Sequence, residues 1–179
     1  MQPTIVFDRK RIALVLVIVA ANVLLDQATK AWARQYLLDA GRQSYLWDFF
    51  RLSYVENRGA FLSLGAGLSG QLRYWALKIL PVLLLLGLLA YTLFGKGMNR
   101  RQLVAFSCIL GGGVSNIYDR LLYNQVVDFM NMGFPGLRTG IFNFADVSIM
   151  LGLAIILPTL WASPPSEEET EEDGKTTSP

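Results

Sequence analysis

The sequence predicts an all-α integral membrane protein, with four transmembrane helices and a small β-like platform and loop on the outer side. Three observations predict it. Hydrophobic residues make up 53% of the 179 and charged ones 17%, where a soluble domain carries roughly a quarter charged. Four apolar stretches, about Arg11–Ala31, Leu72–Phe94, Gln102–Leu122 and Phe142–Ala162, each have about the 20 residues a helix needs to cross a hydrocarbon core. The aspartates in or beside those stretches all fall toward the same side. A carboxylate at membrane depth is costly, and where it occurs it marks function.

In the first stretch, Arg9, Lys10 and Arg11 precede an apolar run from Ile12 to Leu25, the layout of a secretory signal. Asp26-Gln27 comes directly after it, without a small-residue cleavage pattern, so a retained helix is expected. The connection Ala33–Gln71 is too long for a turn. Its segment Ser44–Tyr54, with Tyr45, Trp47, Phe49, Phe50 and Tyr54, predicts short strands on the outer membrane surface; a plain interfacial aromatic belt is the alternative. Gly59, Gly65, Gly67 and Gly70 interrupt the rest of this connection. The second stretch, with Pro81 and the run Leu83 to Leu86, is the cleanest span. In the third, Gly111-Gly112-Gly113 lacks any phosphate-loop context and suits close approach of helix backbones. The second outer connection, Tyr123–Ile141, holds Gly133, Pro135, Gly136 and Gly140 and reads as a loop with room for a short amphipathic piece. Residues 1–162 form one domain. Beyond it, Ser163-Pro164-Pro165 and the acidic run from Glu167 to Asp173 predict a solvated, disordered tail over 163–179.

Arg9, Lys10 and Arg11 flank the first helix, and Lys96, Arg100 and Arg101 fill the connection between the second and third. Both ends read as cytoplasmic, and four spans return the C-terminus to the same side. Cys108 is the only cysteine, so no internal disulfide is expected, and inside an apolar helix it reads as a small buried hydrophobe. With no histidine, Ser-His-Asp and Cys-His machinery and the usual zinc proteases are excluded. No metal, cofactor or nucleic acid is expected.

Depth along each helix sharpens the picture. At 1.5 Å per residue, Asp26 lies about 21 Å in from the cytoplasmic end, Asn116 about 21 Å and Asp119 about 26 Å. Asp128 comes at or just beyond the end of the third helix. Asp146 sits one turn below the outer end of the fourth. Asp128 and Asp146 flank one outer loop, so two helices can deliver them to a shared point. Two carboxylates at one point cannot both ionise cheaply, and one proton is held between them. The ionised member can take a proton from water while its partner polarises a peptide carbonyl. Other roles are structural: Asn143 with Asp146 as an N-cap and its acidic third residue, Asp119 with Arg120 as a local ion pair, and Asp26 with Lys30 as an i,i+4 pair.

The chain resembles the lipoprotein signal peptidases, also called signal peptidase II, over its four-helix portion. The matching stretches are Asp26-Gln27-Ala28-Thr29-Lys30, Glu56-Asn57-Arg58-Gly59-Ala60-Phe61, Gly111-Gly112 through Asn116-Ile117-Tyr118-Asp119-Arg120, Val126-Val127-Asp128-Phe129 and Phe142-Asn143-Phe144-Ala145-Asp146. The resemblance implies a bacterial inner-membrane aspartyl endopeptidase that cuts diacylglyceryl-modified prolipoproteins just before the lipidated cysteine, near the periplasmic face; a monomer is expected. It implies Asp128 and Asp146 as the catalytic pair, and Asn57, Gly59, Asn116, Asn143 and Ala145 as substrate-binding or supporting residues. Asp119 and Arg120 would support the site, and Asp26 and Lys30 would stabilise the outer end of the first helix. The outer strands would form a platform on the membrane lipid. Two departures stand out: Ser115 occupies a position where the family usually has glycine, and the asparagine loop Gly59-Ala60-Phe61 is one small residue shorter. Two other readings compete. Ser115 with Lys30 would make a serine-lysine peptidase. A proton-coupled carrier or channel subunit would also use intramembrane aspartates, though spread through the bilayer or near its midplane.

Overall fold

A computed structural model describes residues 8–59 and 69–161. Four long helices and one small sheet make up these residues. Helix α1 is Arg9–Tyr36, α3 is Arg100–Tyr123 and α4 is Phe144–Trp161. Helix α2 spans Gly70–Phe94 and contains a wider π turn at Trp75–Ile79. Two of the four, α1 and α2, are long and apolar enough to cross a membrane. The sheet is antiparallel with strand order β1-β2-β3-β4: Gln43–Tyr45, Phe50–Asn57, Val126–Phe134 and Leu137–Arg138. The acidic tail and part of the asparagine loop, including Ala60 and Phe61, lie outside the described residues.

The distribution of polarity departs from that of a water-soluble protein: large apolar side chains are exposed and many polar ones are buried among the core residues. Leu16, Val17 and Leu24 on α1 and Leu83, Leu84 and Leu86 on α2 are exposed. The buried side chains include Asp26, Lys30, Ser107, Ser115, Asn116, Asp119 and Asn143. Helices with apolar outer faces and a polar, internally bonded interior suit a hydrocarbon solvent, where every buried polar group must find its partner inside the protein.

Local signals account for the helix ends. Asp8 caps α1 by accepting from the backbone N–H of Lys10 at 3.0 Å and Arg11 at 3.3 Å. Asn99 and Gln102 form a reciprocal capping box at the start of α3. Arg11 ties the same end of the molecule together: its Nε donates to the Thr92 carbonyl at 2.7 Å and its Nη1 to that of Gly95 at 2.8 Å. A cation thus meets carbonyls that the end of α2 leaves unpaired. The three glycines of α3 do allow close packing. A Cβ at Gly111 would lie 2.7 Å from the Asn22 Cβ, and one at Gly113 2.6 Å from Leu85. At Gly112 it would run into the Ala145 carbonyl, so the first turn of α4 sits directly on α3.

Two elements differ from the sequence reading. Helix α1 runs to Tyr36 rather than Ala31, so Asp26 and Lys30 lie inside it and not at its outer end. Nothing between Ala31 and Tyr36 breaks a helix, and Ala33 and Leu37 gain burial by packing under the sheet with Val127 and Phe129. The connection 123–141 is not a loop, and Asp128 is delivered by strand β3 rather than by a helix. Val126, Val127 and Phe129 are β-prone, but their strand forms only because β2 lies alongside, pairing Val55 with Asp128 and Asn57 with Val126. The expected strands in 44–54 are present, as β1 and the first part of β2.

Candidate active site

Alternation along β3 sends Val127 and Phe129 to one face and Val126 and Asp128 to the other. The first pair anchors the sheet on α1. Asn57 shares the face of Asp128, one register step away on β2, and its Nδ2 donates to the Asp128 Oδ2 at 2.7 Å. The chain leaving β3 is folded back tightly. Asn131 donates to the carbonyls of Thr139 at 2.6 Å and Gly140 at 3.3 Å, and Phe142 bridges to Met130. That return places Asn143 beside Asp128.

Asn143 is the hub of the site. Its Nδ2 donates to the Asp128 Oδ1 at 2.7 Å and to the Asn116 Oδ1 at 3.2 Å. Its Oδ1 accepts from the Asp146 backbone N–H at 3.0 Å, while its own N–H donates to the Asp146 Oδ2 at 3.1 Å. The expected N-cap is therefore present, and the same side chain links both carboxylates. Asn116 completes the bridge, its Nδ2 donating to the Asp146 Oδ1 at 3.0 Å. With both amide hydrogens and the oxygen of Asn143 in use, neither amide can turn over without losing bonds.

Behind this bridge lies a buried charge network. The Lys30 Nζ meets Asp26 at 2.6 Å, Asp119 at 2.7 Å and the Asn116 Oδ1 at 3.0 Å. Three N–H donors thus meet three acceptors, which is what a fully buried ammonium requires. Asp26 also accepts from the Ser115 hydroxyl at 2.7 Å and from the Ala145 backbone N–H at 2.8 Å. The latter is a helix-start donor that would otherwise be unpaired. Lys30 fixes the Asn116 amide, and Asp26 fixes the turn carrying Asp146.

The anticipated pair Asp26–Lys30 is therefore present, but Asp119 pairs with Lys30 and not with Arg120. Neighbouring residues on a helix point in different directions and do not face each other. Arg120 instead donates from Nη2 to the Gly59 carbonyl at 3.1 Å and from Nη1 to that of Asn116 at 3.4 Å. Gly59 in turn donates its N–H to the Asn57 Oδ1 at 2.9 Å. Sequence reasoning missed Gln27, whose amide donates to the Ser115 Oγ at 2.9 Å and the Asp119 Oδ1 at 3.0 Å. An amide set between Asp26 and Lys30 in an apolar helix is the signal that could have found it. The hydroxyl at position 115 also gains a reason: it links Asp26 to Gln27, so its oxygen is engaged in the support network.

Burial pushes the Asp128 carboxyl up from 3.8 to about 6. The Asn57 amide opposes the shift, the charge of Asp146 adds to it, and the Asn143 amide and Lys30 also oppose it. A groove of about 290 Å³ reaches the site, with Leu84, Leu85, Ile109 and Ile149 on its walls and Asn116, Arg120 and Asp146 at its polar end.

The fold and site define a helical membrane protein built around two carboxylates joined by asparagine amides. The family model described as signal peptidase (SPase) II matches residues 18–162. The chain belongs to the signal peptidase II family and is a protease. It is 35% identical over 139 residues to the lipoprotein signal peptidase of Thermosynechococcus vestitus, covering 76% of this chain and 84% of that protein. To that of Caldanaerobacter subterraneus it is 37% identical over 143 residues, covering 79% and 91%. A solved structure of a bacterial membrane enzyme, obtained by the in meso method at 1.9 Å, superposes with a TM-score of 0.73 at 27% identity, covering 86% of this chain and 96% of that one.

Proposed function

We propose that this protein is an aspartyl endopeptidase that removes the signal peptide from diacylglyceryl-modified prolipoproteins, immediately before the lipidated cysteine. The observation that carries the proposal is the Asn143 bridge, which holds Asp128 of β3 and Asp146 of α4 in one bonded unit. One carboxylate of the pair takes a proton from water as it attacks the scissile carbonyl. The other, protonated, hydrogen-bonds that carbonyl and later gives its own proton to the leaving nitrogen, so that the pair again holds one proton. The pair titrates as a unit, so the two steps share one proton inventory. Asn57 and Asn143 hold Asp128, and Asn116 holds Asp146. Arg120 and Gly59 shape the approach to them. Asp26, Lys30 and Asp119 keep the frame rigid.

The substrate fits the surroundings. The apolar groove ending at Asn116 and Asp146 suits a signal helix or acyl chain entering sideways from lipid. All four helices span the bacterial inner membrane, with both termini cytoplasmic and the sheet as a platform on the periplasmic side. Arg9, Lys10, Arg100 and Arg101 lie at the starts of α1 and α3, the helix ends that the charge rule for cytoplasmic loops assigns to the inside. The protein works as a monomer against membrane lipid, and residues 1–162 form the peptidase domain.

The test is cleavage of a diacylglyceryl-modified prolipoprotein by purified protein in detergent, with chelator present. Asp128→Asn and Asp146→Asn should each lose at least ~10²-fold in turnover, the scale of a lost general acid or base, while remaining folded. Asp119→Asn should lower yield and thermal stability more than turnover per folded molecule. Full turnover in either dyad variant would refute the assignment. A well-folded wild type that cuts nothing would reopen the carrier alternative.

A further inference from the structure

A second cavity lies on the other side of Arg120, between the start of α2 and the end of α3. It holds about 350 Å³, and its lining among the described residues includes Arg58, Arg73, Lys78 and Arg120 without a single carboxylate. Like charges gathered around one cavity repel each other, and an anion among them offsets that repulsion; Arg120 also faces Asp146, Asp128 and Asp119 on its other side. Donors remain for it. The Lys78 Nζ gives one bond, to the Asn124 Oδ1 at 2.7 Å, of the three an ammonium can make. Arg58 uses its Nε weakly, toward Gln125 at 3.4 Å. The Arg120 Nε is buried without an acceptor among the described residues.

We infer that this cavity is a binding site for a phosphate-ester anion, carried by a phospholipid headgroup. Its place in the fold supports a lipid source. The lining includes Tyr74, Leu77 and Tyr123, and Tyr74, Trp75 and Tyr123 are exposed on the outside of the helices. Aromatic rings at a helix end mark headgroup level, and basic pockets between membrane helices take phosphate headgroups by charge-assisted hydrogen bonds. This placement rests on the proposed orientation, with these helix ends at the outer leaflet. A bound headgroup would tie α2 to Arg120, which already holds the Gly59 and Asn116 carbonyls beside the carboxylate pair. Anionic lipid would then stiffen the entrance to the site without touching the reacting atoms.

The experiment measures thermal unfolding of the full chain in a neutral detergent, with added phosphatidylglycerol, phosphatidylcholine, inorganic phosphate or an acidic peptide. Phosphatidylglycerol should raise Tm more than phosphatidylcholine, and the rise should fall by at least half in the Arg73→Gln/Lys78→Gln variant. If that variant does not fold, Arg58→Gln, on the sheet side of the cavity, must show the same loss. A rise from either phosphatidylglycerol or inorganic phosphate that the variant loses supports the site, and the arm that produces it identifies the source. Equal rises in wild type and variant, or a rise with the acidic peptide alone, would overturn it. Since nothing is cleaved in this assay, failure here leaves the peptidase proposal to its own test.

Discussion

Asn143 shows how much one side chain of modest size can decide. Its amide and backbone set the relation between two carboxylates from different elements, and its cap role alone would not require the contact with Asp128. The consequence for Asp128 is a carboxyl raised from 3.8 to about 6, chiefly by burial. In that window the native protein holds a proton that the unfolded chain releases. This group therefore costs stability progressively as pH rises from about 3.8 to about 6. The same sign governs activity. The pair needs one proton, so turnover should fall as pH rises through the upper pKa of the pair. The Asn57 amide favours the ionised form of Asp128, so Asn57→Ala should move that falling limb to higher pH. A pH–turnover profile for both proteins checks it, and an unmoved limb would mean that Asp128 does not set it.

Elements reach the site through backbone contact as much as through side chains. Helix α4 starts on the surface of Gly112, where any Cβ would press on the Ala145 carbonyl and the Ile149 side chain. Ala145 also donates its N–H to Asp26, so α1, α3 and α4 meet at one turn. Gly112→Ala should cost about 1–3 kcal/mol by overpacking and displace Asp146, lowering both Tm and turnover. Gly87→Ala, where a Cβ would meet nothing within 4 Å, is the control and should leave both nearly unchanged. The glycine run and the cap at Asn143 were legible in the sequence because both are local. Strand β3 was not. Its glycine- and proline-containing end looked like a loop, and its partner lies about seventy residues earlier in the chain, so only the pairing with β2 makes it a strand.

At the scale of the whole molecule, the described residues bury Asp26, Lys30, Asp119 and Asn143 completely while many leucines of α1 and α2 are exposed, which fits a membrane solvent. The proposed topology can be read directly. With Cys108 replaced by alanine, Trp47→Cys in the turn between β1 and β2 and Lys96→Cys between α2 and α3 offer two exposed reporters. A membrane-impermeant thiol reagent applied to spheroplasts should label position 47 and leave position 96 unlabelled until the membrane is opened. Labelling at both positions, or only at 96, would reverse or break the proposed arrangement of spans.

The sequence by itself determined the membrane class, the four helical stretches and the gathering of carboxylates toward one end, because hydropathy, span length and depth are local sums along the chain. It also determined the Asp26–Lys30 pair and the Asn143 cap, which depend only on helical spacing. Tertiary structure alone decided that Lys30 takes Asp119 from Arg120, that Asp128 arrives on a strand, and that Asn143 joins both aspartates. Each of those depends on which distant segment fills a neighbouring space, and the low polarity of that space makes an unpaired donor or acceptor costly enough to select the partner.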